Sequence, residues 1–338
     1  MNYLLIPLTA FMSSCILIYF ILRLPSRVSV LDKPNHRSLH TTPVSRLGGI
    51  GILFGLVVAF VIGLINFTLA REMYYAAAGL LMIASISFLD DIFSLSSMLR
   101  MLVQLLASSI VVYAGFIIDI SAFPLLTLIP MAASIFVTIV YIVWMVNLYN
   151  FMDGIDGLAG GMAVFGFGTF AIIGFVEGEV GFAISGLIVA SSSLGFLVWN
   201  YPPARIFMGD SGSSSLGFLA AILSIWAHLN GTIPIWISLV IFSPFIVDAT
   251  TTLINRIIKW ERFWDAHKSH YYQLIAESGL DRKKLVNFEY ALMLLCSVIA
   301  IISYNASFEM QILFIIMLAF LYVFLMRYAT RLSVKNTI

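Results

Sequence analysis

Apolar runs of helical length recur along the chain, at about 3–22, 48–66, 73–89, 101–118, 123–146, 160–176, 180–198, 215–229, 233–253, 286–304 and 307–326. Each holds roughly 15–24 residues. At about 1.5 Å per residue that suffices to cross a hydrocarbon core of about 30 Å with some tilt. The alternating apolar and polar pattern of barrel strands is absent. The pattern therefore predicts an all-α fold: a polytopic integral membrane bundle of about 11 transmembrane helices, forming one domain over 1–338. Connections on one side are short, such as FVEGEVG at 175–181 and YNASF at 304–308. Those on the other side are longer and hold nearly all the unusual polar residues.

Composition strengthens this reading, with 61% hydrophobic and 10% charged residues in 338. A soluble domain of that length has no use for so much apolar surface. The net charge of +1 is uninformative, but its distribution is not. With eleven spans, the side carrying the C-terminal tail holds Arg23, Arg27, Lys33, Arg37, Arg46, Arg100, Arg205, Arg256, Lys259, Arg262, Lys268, Arg282, Lys283, Lys284, Arg327, Arg331 and Lys335. The other holds Arg71. Positive residues collect in the cytosol, so the N-terminus is expected outside and the C-terminus cytosolic. The first span lacks a basic leader and a small-residue cleavage site, and is expected to be retained. Cys15 and Cys296 fall inside spans and are expected to serve packing.

Five polar clusters share the cytosolic side. DKPNHRSLHTTPVSRLGG at 32–49 mixes amide, hydroxyl, imidazole and arginine, with Pro34, Pro43 and Gly48-Gly49 expected to break any helix. FLDDIFSLSSMLR at 88–100 places Asp90 and Asp91 at the end of an apolar run, where an acid costs about 2.5–3.5 kcal/mol on insertion scales. Adjacent residues on a helix point about 100° apart, so these two acids should have different partners. NLYNFMDGIDGLAGG at 147–161 carries Asn147, Asn150, Asp153 and Asp156, the last three at steps that put them on one face of a helical turn. NYPPARIFMGDSGSSSLGF at 200–218 has prolines that stop one helix, then Asp210 in a small-residue entry to the next, where main-chain N–H groups favour anions. NRIIKWERFWDAHKSHYYQ at 255–273 brings His267 and His270 to a three-residue spacing among basic and aromatic residues.

Simpler readings exist for each cluster: topology-setting basic loops, a polar helix end, a cation site in a broken transporter helix, an N-cap, and an amphipathic surface helix. The EF-hand spacing and the Walker A lysine are missing, and no third zinc ligand accompanies the histidines. Five clusters on one membrane face describe a single site rich in Asp and amides, ringed by Arg, Lys and His. Such oxygen donors suit Mg²⁺ or Mn²⁺, which usually reach a protein through a few oxygens plus substrate phosphates. The residues thus indicate metal-assisted phosphoryl-type transfer at the cytosolic surface. The competing class is a cation-coupled secondary transporter, which predicts inverted repeats and midplane acids; no repeat is seen.

In order and spacing, DKPNHRSLHTTPVSRLGG, DDIFSLSSMLR, NLYNFMDGIDGLAGG, FMGDSGSSSLGF and HKSHYYQ resemble the polyprenyl-phosphate N-acetylhexosamine-1-phosphate transferases, from about residue 32 to 273. The resemblance implies that undecaprenyl phosphate attacks the β-phosphorus of a UDP-N-acetylamino sugar, giving undecaprenyl-diphosphate sugar and UMP. It implies that Asp210 and Asn150 hold Mg²⁺, and that Asp90 orients or deprotonates the lipid phosphate while Asp91 acts nearby on metal or phosphate. Asp153 and Asp156 would shape the nucleotide and metal surroundings. His267 and His270, with Arg262, would contact the sugar diphosphate; Arg46 and Asn147 complete the expected substrate-binding set. Whether Asp90 attacks covalently or only assists stays open, with a direct single displacement preferred.

Two departures bear on the donor. Ser94 stands where several relatives carry a charged residue, and the fifth loop lacks a run of three histidines. Its H-x-S-H-x-Y-Q pattern resembles the branch that initiates O-antigen chains with deoxy-amino sugars. UDP-N-acetylfucosamine or UDP-N-acetylquinovosamine come first as donors on this reading, then UDP-N-acetylglucosamine. Membrane lipid is the expected surrounding, no nucleic-acid partner is expected, and a homodimer is compatible with the sequence.

Overall fold

The structure, a computed structural model, describes residues 5–25, 30–32, 43–64, 71–120, 130–261 and 268–335. Its elements are α1 (Leu5–Ile21), β1 (Leu31–Asp32), β2 (Val44–Ser45), α2 (Gly48–Leu64), α3 (Arg71–Phe93), α4 (Ser97–Tyr113), α5 (Met131–Phe151), α6 (Leu158–Val176), α7 (Val180–Asn200), α8 (Gly209–Leu229), α9 (Ile235–Ile241), α10 (Ser243–Ile258), α11 (Tyr271–Glu277), α12 (Arg282–Ser303) and α13 (Phe308–Lys335). Among the described residues, seven helices are long and apolar enough to cross a membrane, and α9 with α10 make an eighth if the bent pair is one span. The chain is a polytopic helical membrane protein. The apolar helices α1, α2 and α4 have 17 residues each, at the short end of the spanning range.

The expected span at 233–253 is not one helix. It breaks at Phe242 into α9 and α10, which meet at 85°. Pro244 in the first turn of α10 explains the break, since it has no N–H to continue the ladder of α9. Gly48 and Gly49, expected to interrupt a helix, instead open α2. There Gly49 lies against the backbone of Gly212 so closely that a Cβ would collide with it.

Small residues govern the packing. α8 is the most buried of the long helices, and its serines and glycines let α2, α3 and α5 press against it. Gly217 meets the Met145 carbonyl where any side chain would clash. On the other flank α7 packs on α1 and α6, and α12 on α6. In hydrocarbon, close backbone approach of this kind replaces the hydrophobic drive that holds soluble bundles. One core cluster runs through these helices, from Ile18 to Tyr322. Both cysteines are free, Cys296 fully and Cys15 partly buried.

The short β1–β2 ribbon stitches the first loop to the fourth. Ser45 bridges Ile206 in parallel, Phe207 N–H donates to the Ser45 carbonyl at 2.8 Å, and Gly48 and Gly49 N–H donate to Phe207 and Met208 at 2.9 and 2.7 Å. This seam brings Arg46 to the start of α8.

Candidate active site

The ends of α3, α5 and α10 and the starts of α4, α6, α8 and α11 meet at one end of the bundle, and the acids lie there. Asp90 and Asp91 do have different partners. Asp90 Oδ1 accepts from Leu95 N–H at 2.6 Å, closing the turn after α3. Its Oδ2 takes Arg100 Nη1 at 2.8 Å, and the same nitrogen reaches Asp210 Oδ2 at 3.3 Å. Arg100 therefore bridges two carboxylates from two helices. Asp91 accepts from the main-chain N–H of Asp210 at 2.9 Å and of Ser211 at 3.0 Å. It seats the N-terminus of α8, whose first turn has donors without intrahelical partners. Gly209 enters that turn at φ 73°, and a Cβ there would strike the Arg46 carbonyl.

The stretch 147–161 is not helical throughout. α5 ends at Phe151, and Met152–Gly157 form a turn with Gly157 at φ 80°. Asn150 is thus on the last turn of a helix while Asp153 and Asp156 are on the loop beyond it, not on one helical face. Gly154 lets Tyr272 approach this turn, since a Cβ there would collide with its hydroxyl. Asn147 pairs through Nδ2 with Gln104 Oε1 at 2.7 Å, joining α5 to α4. Asn150 Nδ2 donates to Ser213 Oγ at 3.0 Å, so Oδ1 is the atom it can offer a cation. Asp156 Oδ2 accepts from Ala204 N–H at 3.0 Å. Asn200 adds to that seam, accepting from Gly157 N–H and donating to the Ile206 carbonyl, both at 2.8 Å.

Asp153 is the electrostatic centre of the group. Burial pushes its carboxyl well above the ordinary aspartate range, and Asp210, Asp91 and Asp156 push it further, against a downward pull from Arg46. Arg46 itself is ion-paired with Asp32 at 2.8 Å. Four acids with two arginines between them make a surface ready for a polyanion that brings its own cation. Among the described residues no three His, Cys, Asp or Glu side chains form a metal-binding group. The oxygens of Asp210 and Asn150 could supply two ligands, which fits a hard cation held mainly through substrate phosphates.

His270 stands just outside the helix that it precedes. It is the N-cap of α11 in extended conformation, φ −66° and ψ 145°. Its ring lies 5.8 Å from that of Tyr272, nearly parallel, and 6.2 Å from that of Phe151. The Tyr272 hydroxyl donates to the Phe151 carbonyl at 3.1 Å. This joins the fifth loop to the 147–161 turn. Arg262 and His267 lie outside the described residues.

Arg100 and Asp248 were not among the expected site residues. Arg100 counted only toward topology, though it follows the aspartate pair by ten residues. Asp248, a lone acid within an apolar run, carries the signal of its own insertion cost.

A family model described as glycosyl transferase family 4 matches residues 73–228. A probable undecaprenyl-phosphate N-acetylglucosaminyl 1-phosphate transferase of Bacillus subtilis is 31% identical over 302 residues, covering 88% of this chain and 83% of the relative. A decaprenyl-phosphate N-acetylglucosaminephosphotransferase of Mycobacterium leprae is 27% identical, covering 78% and 74%. The undecaprenyl-phosphate alpha-N-acetylglucosaminyl 1-phosphate transferase of Escherichia coli K12 is 25% identical, covering 88% and 83%. With motifs, architecture and relatives in agreement, the chain belongs to glycosyl transferase family 4, among the polyprenyl-phosphate N-acetylhexosamine-1-phosphate transferases.

Proposed function

We propose that this protein transfers an N-acetylamino-sugar 1-phosphate from a UDP-sugar to undecaprenyl phosphate at the cytosolic face of the inner membrane, starting a cell-surface polysaccharide. The observation that carries the reading is the meeting of Asp90, Asp91, Asp153 and Asp210 with Asn150, Arg100 and Arg46 at one end of a lipid-embedded bundle. A lipid acceptor accounts for so apolar a protein receiving a water-soluble donor. The basic-residue asymmetry supports the cytosolic placement.

A phosphate monoester has its second pKa near 6, so the acceptor is largely dianionic at neutral pH. Positioning and charge neutralisation then matter more than a strong base. Arg100 is placed to take a phosphate oxygen in exchange for one of its carboxylates. Asp90, fixed by Leu95 N–H, is suited to orient the attacking phosphate for a direct single displacement. Mg²⁺ on Asp210 and Asn150 would supply charge neutralisation at the diphosphate. The glycines of 154–161 let Tyr272, Tyr290, Phe196 and Leu197 pack closely against the turn that carries Asp153 and Asp156.

The relatives' names support UDP-N-acetylglucosamine as donor, whereas the HKSHYYQ pattern supports a deoxy-amino sugar of O-antigen initiation. The transporter reading does not fit the acids. Asp90, Asp91, Asp153, Asp156 and Asp210 sit at helix ends or in the turns beside them, and the helix pair found broken among the described residues bends at Phe242 and carries none of these five.

Membranes containing the protein, given undecaprenyl phosphate, Mg²⁺ and a panel of labelled UDP-N-acetylamino sugars, should release UMP and form labelled lipid with one donor. Failure with every donor would sink the proposal. Asp210→Asn should abolish turnover while the protein stays in the membrane, and near-normal turnover would remove Asp210 from the metal site.

A further inference from the structure

Asp248 is buried on α10, 9% exposed, where the apolar run gives no reason for an acid. All its oxygens are engaged, and three of its four partners come from one place. Oδ1 accepts from Tyr271 N–H at 3.1 Å and Oδ2 from Tyr272 N–H at 3.0 Å. His270 Nδ1 lies 3.1 Å from Oδ1, and Thr252 Oγ1 donates to the same oxygen at 3.3 Å from within α10. The carboxylate thus does from another helix what an N-cap side chain does locally, since it takes the unpaired N–H groups of the first turn of α11.

The His270 contact goes beyond capping. A carboxylate can only accept, so the facing nitrogen must carry the proton, and the neutral ring is Nδ1–H with its lone pair on Nε2. The main-chain N–H of Gln273 also approaches this side chain. One ring nitrogen cannot serve both. Lone-pair repulsion against an anion is costlier than the loss of one neutral main-chain contact at the helix start, so the carboxylate decides. The ring plane is held as well, between Tyr272 and Phe151. Tyr272 ties this sandwich to the turn that carries Asp153.

We infer that Asp248 is a positioning residue for the transfer reaction: it sets the tautomer and plane of His270 and fixes the start of α11 against the aspartate-bearing turn. The inference rests on the transferase reading of the site. A side chain that acts only through another adds no further loss once the other is gone, whereas independent contributions multiply.

The experiment uses the full chain in lipid nanodiscs with undecaprenyl phosphate and the UDP-sugar that supports transfer. Asp248→Asn should lower kcat/KM for the nucleotide sugar by about 10–100-fold and leave the KM for undecaprenyl phosphate within about twofold. Asp248→Asn with His270→Gln should be no worse than His270→Gln alone. Multiplying losses, or normal turnover in Asp248→Asn, overturn the inference. Full activity of His270→Gln overturns it too, with the transferase reading intact. If no UDP-sugar supports transfer by the unmodified chain, the transferase reading falls instead. Independently, ¹⁵N-imidazole NMR of the chain, which has five histidines, should show the His270 signal, assigned by its loss in His270→Gln, as the Nδ1–H tautomer when neutral. An Nε2–H tautomer overturns the inference, and this measurement stands even where Asp248→Asn does not fold.

Discussion

Asp153 shares its surroundings with three other carboxylates, and the cost falls on folding. Its carboxyl group is raised in the folded state by burial first and by Asp210, Asp91 and Asp156 next. A raised acid binds its proton more tightly folded than unfolded. Its burden is therefore absent below the unfolded value of about 3.9, grows as pH rises past it, and is complete above the folded value. Asp153→Asn should raise the melting temperature in chelator at pH 7–8, with the difference from wild type vanishing near pH 4, while turnover is lost. Equal melting temperatures at every pH would count against this electrostatic picture. Gly154 is a second case of a residue chosen by its neighbour. Gly154→Ala drives a methyl into the Tyr272 hydroxyl and should break its bond to Phe151. Overpacking of this kind costs about 1–3 kcal/mol. Activity should fall more than the modest drop in thermal stability explains, as read by paired turnover and melting assays.

The start of α8 depends on a side chain from α3. Removing the Asp91 carboxylate leaves two main-chain N–H groups without their acceptor, a loss of about 1–3 kcal/mol. Asp91→Ala should lower the melting temperature and misplace Asp210, whereas Asp91→Asn, with one acceptor oxygen left, should fall between. The described apolar helices were legible because their runs in sequence are long and their ends are marked by Pro, Gly or acids. The bend at Phe242 was not, because the run through 233–253 stays apolar across it; the Ser243-Pro244 step was its only mark. Asp90, Asp91, Asn150, Asp153, Asp156 and Asp210 were legible as rare polar residues in an apolar chain. What each one does was less so. Asp91 and Asp156 hold main-chain groups more than they face a ligand, and such partners lie 119 and 48 residues away. Asp248 has only the hydroxyls of Thr250, Thr251 and Thr252 near it in sequence, and its partners outside α10 come from 22 to 24 residues further on.

The acids, Arg46, Arg100 and the start of α11 gather at one end of the bundle, and the short turns between α6 and α7 and between α12 and α13 lie at the other. Single cysteines at Glu179 and Lys283 test which end faces the cytosol. A membrane-impermeant maleimide should label Glu179→Cys in intact cells and Lys283→Cys only in inverted vesicles. The native thiols, one buried and one partly so, leave the reading clear. Reversed labelling would invert the proposed orientation. The Asp91 bonds also have a consequence in time. A ribosome adds about 5–20 residues each second. The donors that Asp91 accepts from are made 119 and 120 residues after it, so the acid waits roughly 6–24 s at the end of a helix already leaving the translocon. Asp90 meets its arginine after ten residues. Through that interval the newborn chain carries one settled acid and one unsettled acid side by side. A chain cut short before α8 never settles the second.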